Sequence, residues 1–257
     1  MPSPYQPSGS RPVTPFDTKN KLVLLGRWFI SHGRASVLIM FGIFIVVEFC
    51  SMPIFSVERL KNENPQMSAL MQIRLEDHSG LHSPYIIQKQ WMPLSNVSND
   101  LVHAILVAED GTFFEHEGID WYEVQESIKK DLEKRRFARG ASTITQQLAR
   151  NLYLSTSKDP LRKLKEIVIA KRLEAVLSKD RILEIYLNTI EWGEGIFGAE
   201  AAAMTYFGKH ASEITRDEAA RLAAVVSSPL RYSPNTDARF VMFRKNIVLA
   251  RMEARGW

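Results

Sequence analysis

Glu109 is the residue whose neighbours best suit it to move a proton. It follows five apolar residues, 104–108, and a histidine flanked by glutamates, His116, comes seven residues later. Partial burial raises the pKa of a carboxylate, which is what a general base working near neutral pH requires. The alternative is an ordinary surface carboxylate at a helix end. The histidine and its acidic neighbours lack the H-E-x-x-H spacing of a zinc site, so we expect no metal here.

A second segment, 140–151, carries uncharged hydrogen-bonding side chains at helical spacing. Thr143, Gln147 and Asn151 fall at positions i, i+4 and i+8, with Arg150 beside them. Amides and hydroxyls are the donors and acceptors that a sugar requires, whereas exposed helices more often carry Lys and Glu. We interpret the stripe as a carbohydrate-binding face, and a solvent-exposed helix face is the alternative.

A third segment combines two cations with one carboxylate. Arg162 and Lys163 precede Glu166 by four and three residues. Such a cluster can bind phosphate oxygens while the carboxylate holds the cations in place. The simpler alternative is a helical salt bridge that contributes about 0.3–0.5 kcal/mol.

The charge distribution excludes some classes of protein. Lysine and arginine number 33 against 29 acidic residues, and the excess lies within residues 1–34. The remainder is neutral, so it lacks the basic face of a nucleic-acid-binding protein, and we expect no nucleic-acid partner. An acidic block at 109–126 precedes a basic block at 129–181. These blocks are either solvated faces or walls of a cleft that handles a proton on one side and an anion on the other. A single cysteine, Cys50, excludes a disulfide scaffold.

The N-terminal region has the pattern of a membrane anchor. Residues 35–55 contain one charge, Glu48, and follow a basic and aromatic entry. About 20 residues of this kind can cross a bilayer. A cleaved signal peptide is the alternative, but no A-x-A cleavage site follows. We predict a cytoplasmic tail at 1–34, a transmembrane helix at 35–55 and an outward-facing domain at 56–257, because basic flanks stay in the cytoplasm.

The rest of the chain has helical periodicity. Asp159 followed by Pro160 predicts an N-cap, and Thr215 with Glu218 predicts a capping box. Other helix starts are expected at Asn99 or Asp100 and at Thr236 or Asp237, and a strand is expected only within Leu81–Trp91. In the helix after Pro160 we expect an apolar stripe formed by Leu161, Leu164, Ile167, Val168, Leu173, Val176 and Leu177.

A literal G-x-G-x-x-G occurs at 193–198. The dinucleotide-binding fingerprint also requires a preceding strand and a β-α-β context, whereas residues 179–188 have a helical pattern. We therefore do not expect nicotinamide or flavin binding.

Five ordered segments together resemble glycosyltransferase family 51, and within it the monofunctional peptidoglycan transglycosylases. The segments are E-D-x-x-F-x-x-H-x-G at 109–118, G-x-S-T-x-T-Q-Q at 140–147, R-K-x-x-E at 162–166, R-I-L-x-x-Y-L-N at 181–188 and the terminal block at 221–231. The resemblance runs from about Tyr85 to the C-terminus.

The resemblance implies a mainly α, lysozyme-like domain that polymerises lipid II into β-1,4 glycan strands and releases undecaprenyl diphosphate. It implies that Glu109 is the general base on the acceptor hydroxyl, with inversion at the donor carbon, and that Glu166 is a second essential carboxylate. The residues expected to shape the donor and acceptor sites are Asp110, Phe113, His116, Ser142, Thr143, Gln147, Arg150, Asn151, Arg162 and Lys163. Many relatives carry Lys where this chain has Arg150, so the phosphate contact there differs in geometry.

The same resemblance implies no tightly bound cofactor, with Mg²⁺ or Mn²⁺ at most accompanying the substrate diphosphate. The expected partners are lipid II, the growing glycan chain, the inner membrane and cell-wall synthesis or division proteins. Two other functions stay open from the residues. One is a lysozyme-like hydrolase that uses Glu109 as an acid, and the other is a non-catalytic anchored scaffold.

Overall fold

The computed structural model describes residues 33–50, 52–53, 56–80, 84–134, 142–157 and 159–257. These fall into two compact units, with the division between Met52 and Pro53.

The first unit contains helix α1, Gly33–Cys50. Its large apolar side chains, such as Leu38 and Phe41, are exposed. Of the predicted anchor and tail, residues 1–32, 51, 54 and 55 lie outside the described residues. Among the helices that the structure describes, none is both long enough and apolar enough to cross a bilayer.

The second unit is mainly helical, as predicted. Its helices are α2 (Ser56–Arg59), α3 (Ala69–Asp77), α4 (Asn99–Glu109), α5 (Trp121–Lys134), α6 (Ile144–Tyr153), α7 (Pro160–Val176), α8 (Lys179–Thr189), α9 (Ala199–Phe207), α10 (Arg216–Val225) and α11 (Arg239–Ala254). A small sheet has the order β1 (Gln88–Lys89), β3 (Ile196–Phe197), β2 (Glu191–Gly193). The β1–β3 pair is parallel and the β2–β3 pair is antiparallel.

Helix α4 is held in the core, which fixes the position of its last residue. Leu101, Ala104 and Ile105 are fully buried, as expected from their i, i+3, i+4 spacing. Helices α10 and α11 pack on α4. On α10, the small side chains of Ala220 and Ala223 are fully buried. Glu109 therefore ends a helix whose apolar face is anchored in the core.

Helix α8 lies at the centre of the other half of the core. Its residues from Ile182 to Thr189 are almost all buried, the polar Asn188 and Thr189 among them. A helix that is buried nearly all round needs its polar groups paired internally. Asn188 meets this need because its amide exchanges two hydrogen bonds with the Met92 backbone, at 2.7 and 2.8 Å.

The two predicted caps with a side-chain signature are confirmed. Asp159 accepts a hydrogen bond from the Arg162 N–H at 2.7 Å and begins α7 ahead of Pro160. Thr215 and Glu218 form the capping box of α10.

Two other predicted helix starts were wrong by one or two residues. Helix α4 starts after Ser98, so Asn99 and Asp100 lie within its first turn. Helix α11 starts after Ala238, since the Thr236 hydroxyl donates to Ser233 O and Asp237 pairs with Arg221. Thr236 and Asp237 are thus engaged in contacts other than the cap of α11.

The strand prediction for Leu81–Trp91 holds only for Gln88 and Lys89, and residues 81–83 lie outside the described residues. The G-x-G-x-x-G segment forms the β2–β3 hairpin instead of a strand-to-helix phosphate loop. Gly195 has φ +72° and lies so close to Ile86 that a Cβ would stand 2.5 Å from its carbonyl oxygen. The glycine is therefore required both by the positive φ of the turn and by the close approach of Ile86.

The apolar stripe predicted for α7 is confirmed only at its C-terminal end, where Leu173 and Leu177 are buried. The buried face contains Glu166, Ile169, Ala170 and Leu173, whereas Leu164 is 53% exposed. The helix is rotated so that a carboxylate, not a leucine, faces inward one turn before Ala170. The paired cations described below make that burial tolerable.

Candidate active site

Glu109 lies in a cleft of about 980 Å³ that is bordered by α4, α6 and α11. Its Oε2 accepts a hydrogen bond of 2.9 Å from Gln147 Nε2. Burial raises the pKa of Glu109, and the Gln147 hydrogen bond and the charges of Arg244 and Arg150 offset only part of that rise. The carboxylate is therefore more basic than an exposed glutamate, as the sequence predicted.

Gln147 is held in turn by Tyr186, a residue of α8 to which the sequence analysis gave no role. The Tyr186 hydroxyl donates to Gln147 Oε1 at 2.9 Å. A hydroxyl that donates to the amide oxygen leaves the amide nitrogen directed at Glu109. Tyr186 is fully buried, and burial raises its pKa well above the ordinary value, so it remains a protonated donor.

Asp110 anchors the loop after α4 to the beginning of α6. Its Oδ2 accepts from the Ile144 N–H at 2.9 Å, and both of its oxygens lie within 3.1 Å of His116 Nε2. His116 Nδ1 accepts from the Gly118 N–H at 3.1 Å, so its Nε2 carries the proton donated to Asp110. Phe113, on the same loop, is only 1% exposed. Asp110 itself lines the large cleft, whereas Phe113 and His116 are not among the described residues that border it.

Thr143 serves as the N-cap of α6, so it does not stand on the exposed stripe that we predicted. Its hydroxyl accepts from the Gln146 N–H at 3.2 Å and donates to Gly118 O at 2.7 Å. Ser142, Thr143 and Gln147 line the large cleft, whereas Asn151 does not.

Asn151 lines a second, smaller cleft of about 190 Å³ on the other side of α6. Gln147 and Arg150 border both clefts. Ser155 and Thr156 add hydroxyl groups to the smaller one. Helix α6 thus forms a wall between two polar recesses, with Arg150 accessible to each.

The third predicted cluster stands behind Ser142. Glu166 is fully buried and accepts from Arg162 Nη1 at 2.7 Å and from Lys163 Nζ. Lys163 Nζ also donates to Ser142 Oγ at 3.1 Å. Among the described residues that border the two clefts, the three members of the cluster are absent, so Ser142 is their link to the large cleft. The salt bridge of the simpler interpretation is present, in a buried setting where its loss would be costly.

The sequence analysis missed three arginines that α11 contributes to the large cleft. Arg244, Arg251 and Arg255 all line it. Their separations of seven and four residues place them on one helix face, which is the signal that could have revealed them. The large cleft therefore has both acidic and basic walls, as one of the two interpretations of the charge blocks predicted. The acids come from 109–123, but most of the bases come from the C-terminal helix.

Within the described part of the chain, no cluster of three or more His, Cys, Asp or Glu side chains is arranged to hold a metal ion.

Comparison with known proteins places the chain in a family. Residues 81–253 match the family model described as transglycosylase. The chain belongs to the transglycosylase family.

Three similar relatives are each named biosynthetic peptidoglycan transglycosylase. The protein of Nitrosospira multiformis is 48% identical over 74% of this chain and 82% of its own. That of Dechloromonas aromatica is 44% identical over 74% and 83%, and that of a Janthinobacterium species is 40% identical over 75% and 84%. The match covers α6, the buried cluster, nearly all of α11 and the lining of the large cleft except Ala254 and Arg255.

Proposed function

We propose that this chain is a membrane-anchored peptidoglycan glycosyltransferase that polymerises lipid II into β-1,4 glycan strands and releases undecaprenyl diphosphate. The observation that carries the proposal is the cleft in which Glu109, with its raised pKa, shares the lining with the side chains of Arg150 and Arg244. The family and the names of the relatives support the same activity.

Glu109 takes the proton of the acceptor's sugar hydroxyl. A hydroxyl is a weak nucleophile until a base removes its proton, and a carboxylate of raised pKa is the stronger acceptor. The oxygen then attacks the donor carbon opposite its diphosphate, which leaves with the bonding electrons. Attack from the opposite face converts an α-linked donor into a β-linked product. Gln147 and Tyr186 hold the carboxylate at the angle that this transfer needs.

Cations stabilise the departing diphosphate, so the reaction needs no strong general acid. Arg150 is the candidate on the α6 wall because it lines the cleft together with Gln147. Arg162 and Lys163 support the same anion from behind Ser142, with Glu166 fixing their positions. Bidentate arginine–phosphate contacts are among the strongest charge-assisted hydrogen bonds.

A divalent ion used by the enzyme would travel with the diphosphate oxygens. The carboxylates next to Glu109 are engaged within the protein, since Asp110 bonds His116 and Asp120 bonds Thr112. Mg²⁺ commonly binds through substrate phosphates and few carboxylates. A chelator added to the polymerisation assay tests this part of the proposal.

The anchor and location are part of the proposal and rest on the sequence. Residues 35–55 form the inner-membrane span, 1–34 remain in the cytoplasm and 56–257 face the periplasm, where lipid II is used. An anchor confines the enzyme to the surface that carries its lipid substrate and raises its effective concentration there. Membrane fractionation together with a reporter fused after Trp257 tests the location, and a reporter that is active only in the cytoplasm would contradict it.

The test of activity is a gel assay of lipid II polymerisation by the purified full chain. Glu109→Gln should reduce the rate by about 10²–10⁴-fold, the usual contribution of a general base. Glu117→Gln, an exposed glutamate on the same loop, is the matched control and should polymerise normally. Near-normal synthesis by a folded Glu109→Gln protein would reject the role of Glu109.

The raised pKa of Glu109 also suits a general acid that cuts a finished glycan. Incubation of the protein with purified glycan strands separates the two functions. Released fragments favour the hydrolase, and intact strands with lipid II consumed favour the polymerase.

A further inference from the structure

Residues 56–77 form an N-terminal segment that precedes the part of the chain matching the family, which begins at residue 81. Although it lies outside that match, the segment is packed into the second unit, and its Val57 and Met71 side chains are fully buried. Arg181 of α8 donates to Leu60 O at 2.8 Å and so holds the middle of the segment. The N-terminal segment is therefore fastened to the family-matched region by packing and by a charged hydrogen bond.

Helix α3 of this segment contributes to the smaller cleft in two ways. Leu70 lines the cleft, and Arg74, one turn later on the same helix face, reaches Glu191 of β2, which also lines it. Arg74 Nε donates to Glu191 Oε1 at 2.7 Å, and Arg74 Nη2 donates to Glu191 Oε2 at 2.8 Å. The pair is largely withdrawn from solvent, since the Glu191 side chain is only 5% exposed and that of Arg74 21%. A bidentate pair of this kind holds both partners in one geometry.

Glu191 is thereby fixed as a hydrogen-bond acceptor in the cleft wall. A carboxylate has about four acceptor positions, and Arg74 occupies one on each oxygen. Nearby, Asn151, Ser155 and Thr156 supply an amide and two hydroxyl groups to the same lining. Because Arg74 neutralises the charge of Glu191, this side of the cleft suits the hydroxyl groups of a sugar.

The proposed reaction gives such a wall a use. The donor is a growing glycan, and the sugars behind its reacting carbon need a path away from Glu109. Gln147 and Arg150 border both clefts, so a chain that passes these two residues enters the smaller one.

We propose that Arg74 is a positioning residue that fixes Glu191 against the growing chain, so that the N-terminal segment sets the enzyme's preference for long donors over short ones. The inference rests on the proposed function and adds to it a determinant of specificity from outside the family-matched region. It gives the helix that precedes the matched domain a part in handling the substrate.

An internal competition between two donors measures this preference. A lipid-linked disaccharide and a lipid-linked octasaccharide, each with its terminal 4-hydroxyl epimerised, serve only as donors, and labelled lipid II is the acceptor. With both donors in one reaction of the purified full chain, the early ratio of the two products equals the ratio of their kcat/KM values. The amount of folded enzyme cancels from that ratio, so a loss of stability alone does not change it.

Wild type should favour the octasaccharide donor. Arg74→Gln should reduce this preference by about tenfold, as for one lost hydrogen bond between charged groups. Arg74→Lys retains the charge but not the bidentate geometry and should recover part of the preference. Arg59→Gln, an exposed arginine on the same segment, is the matched control, and Arg239→Gln, an exposed arginine on α11, is a second, and both should behave as wild type.

A double variant, Arg74→Gln with Glu191→Met, keeps the test decisive if the single variant unfolds. The second change removes the buried charge that the first one strands, so the Tm should recover while the preference stays low. A preference that returns with the Tm would overturn the proposal, as would equal use of both donors by wild type or an unchanged preference in folded Arg74→Gln. A wild-type protein that polymerises nothing would instead reject the proposed function, so the two failures are distinguishable.

Discussion

Tyr186 donates its hydroxyl hydrogen to Gln147 Oε1 at 2.9 Å, and this bond determines which end of the amide faces Glu109. Because the oxygen is occupied, the amide nitrogen remains to donate to the carboxylate at 2.9 Å. A fully buried tyrosine on α8 thereby helps to orient the hydrogen bond to Glu109, the last residue of α4. The Glu109 carboxylate is positioned by two helices other than its own.

Tyr186→Phe should therefore lower kcat about tenfold without changing the fold. The Gln147 amide would lose the partner that fixes its orientation, and the hydrogen bond that favours ionised Glu109 would weaken. The acid limb of the pH–rate profile should move to higher pH. Tyr206→Phe removes a comparable hydroxyl, one that bonds Trp192 O, and is the control. An acid limb that moves equally in both variants would contradict the arrangement.

Arg150→Gln should shift the acid limb of kcat/KM in the same direction. The Arg150 charge lowers the pKa of Glu109, so its removal leaves burial less opposed and the pKa higher. A base acts only when deprotonated, so activity is then lost at a higher pH as the solution is acidified. The profile of Arg239→Gln should match that of wild type. An acid limb that stays in place would remove Arg150 from the neighbourhood of the base.

Glu109→Gln should make the folded protein more stable at pH 7–8. The folded pKa is raised above the ordinary value of 4.5, so the stability associated with protonated Glu109 is fully present below pH 4.5 and is lost as pH rises through the folded value. A neutral amide avoids that loss and can still accept from Gln147. The gain in Tm over wild type should shrink to nothing as the pH falls below 4.5. A variant less stable than wild type at pH 8 would contradict this account.

Asp110→Asn should destabilise the protein by about 1–3 kcal/mol, since Asp110 accepts from Ile144 N–H and from His116. Thermal melts of the variant and of Asp180→Asn, an exposed carboxylate in the first turn of α8, provide the comparison. If Asp110 served substrate contact alone, activity would fall while the Tm of Asp110→Asn stayed at the wild-type value.

The buried cluster allows its two interpretations to be separated. Replacing both Arg162 and Lys163 leaves the stranded charge of the fully buried Glu166 without an ion-pair partner. This should lower the free energy of unfolding by about 3–5 kcal/mol. Adding Glu166→Met removes the stranded charge and should restore the Tm. If the cluster binds phosphate, the triple variant stays inactive although folded, and if it is only a salt bridge, activity returns with stability.

Local sequence rules predicted the features that depend on neighbours in the chain. The apolar run before Glu109 predicted both a buried helix and a carboxylate of raised pKa, and both are confirmed. The capping signatures of α7 and α10 also held, because a cap involves residues only three apart.

Features set by tertiary contacts were not predictable in the same way. Thr143 caps α6 through a local capping box with Gln146, but the bond that its hydroxyl donates to the Gly118 carbonyl, 25 residues away, exists only in the folded chain. Helix α7 packs on α6, and its buried residues include Glu166 and Ala170 as well as Leu173. Tyr186 lay within a recognised segment, yet only the folded chain brings it to Gln147, 39 residues away. Periodicity alone cannot identify such partners.

The positions of Arg150 and Arg244 beside Glu109 have a consequence for the timing of the reaction. In the empty cleft both positive charges favour the ionised carboxylate and make it a weaker proton acceptor. Once diphosphates neutralise these charges, that influence is withdrawn and the affinity of the carboxylate for a proton increases. In the proposed reaction, Glu109 is thus most basic when both diphosphates are bound beside these arginines.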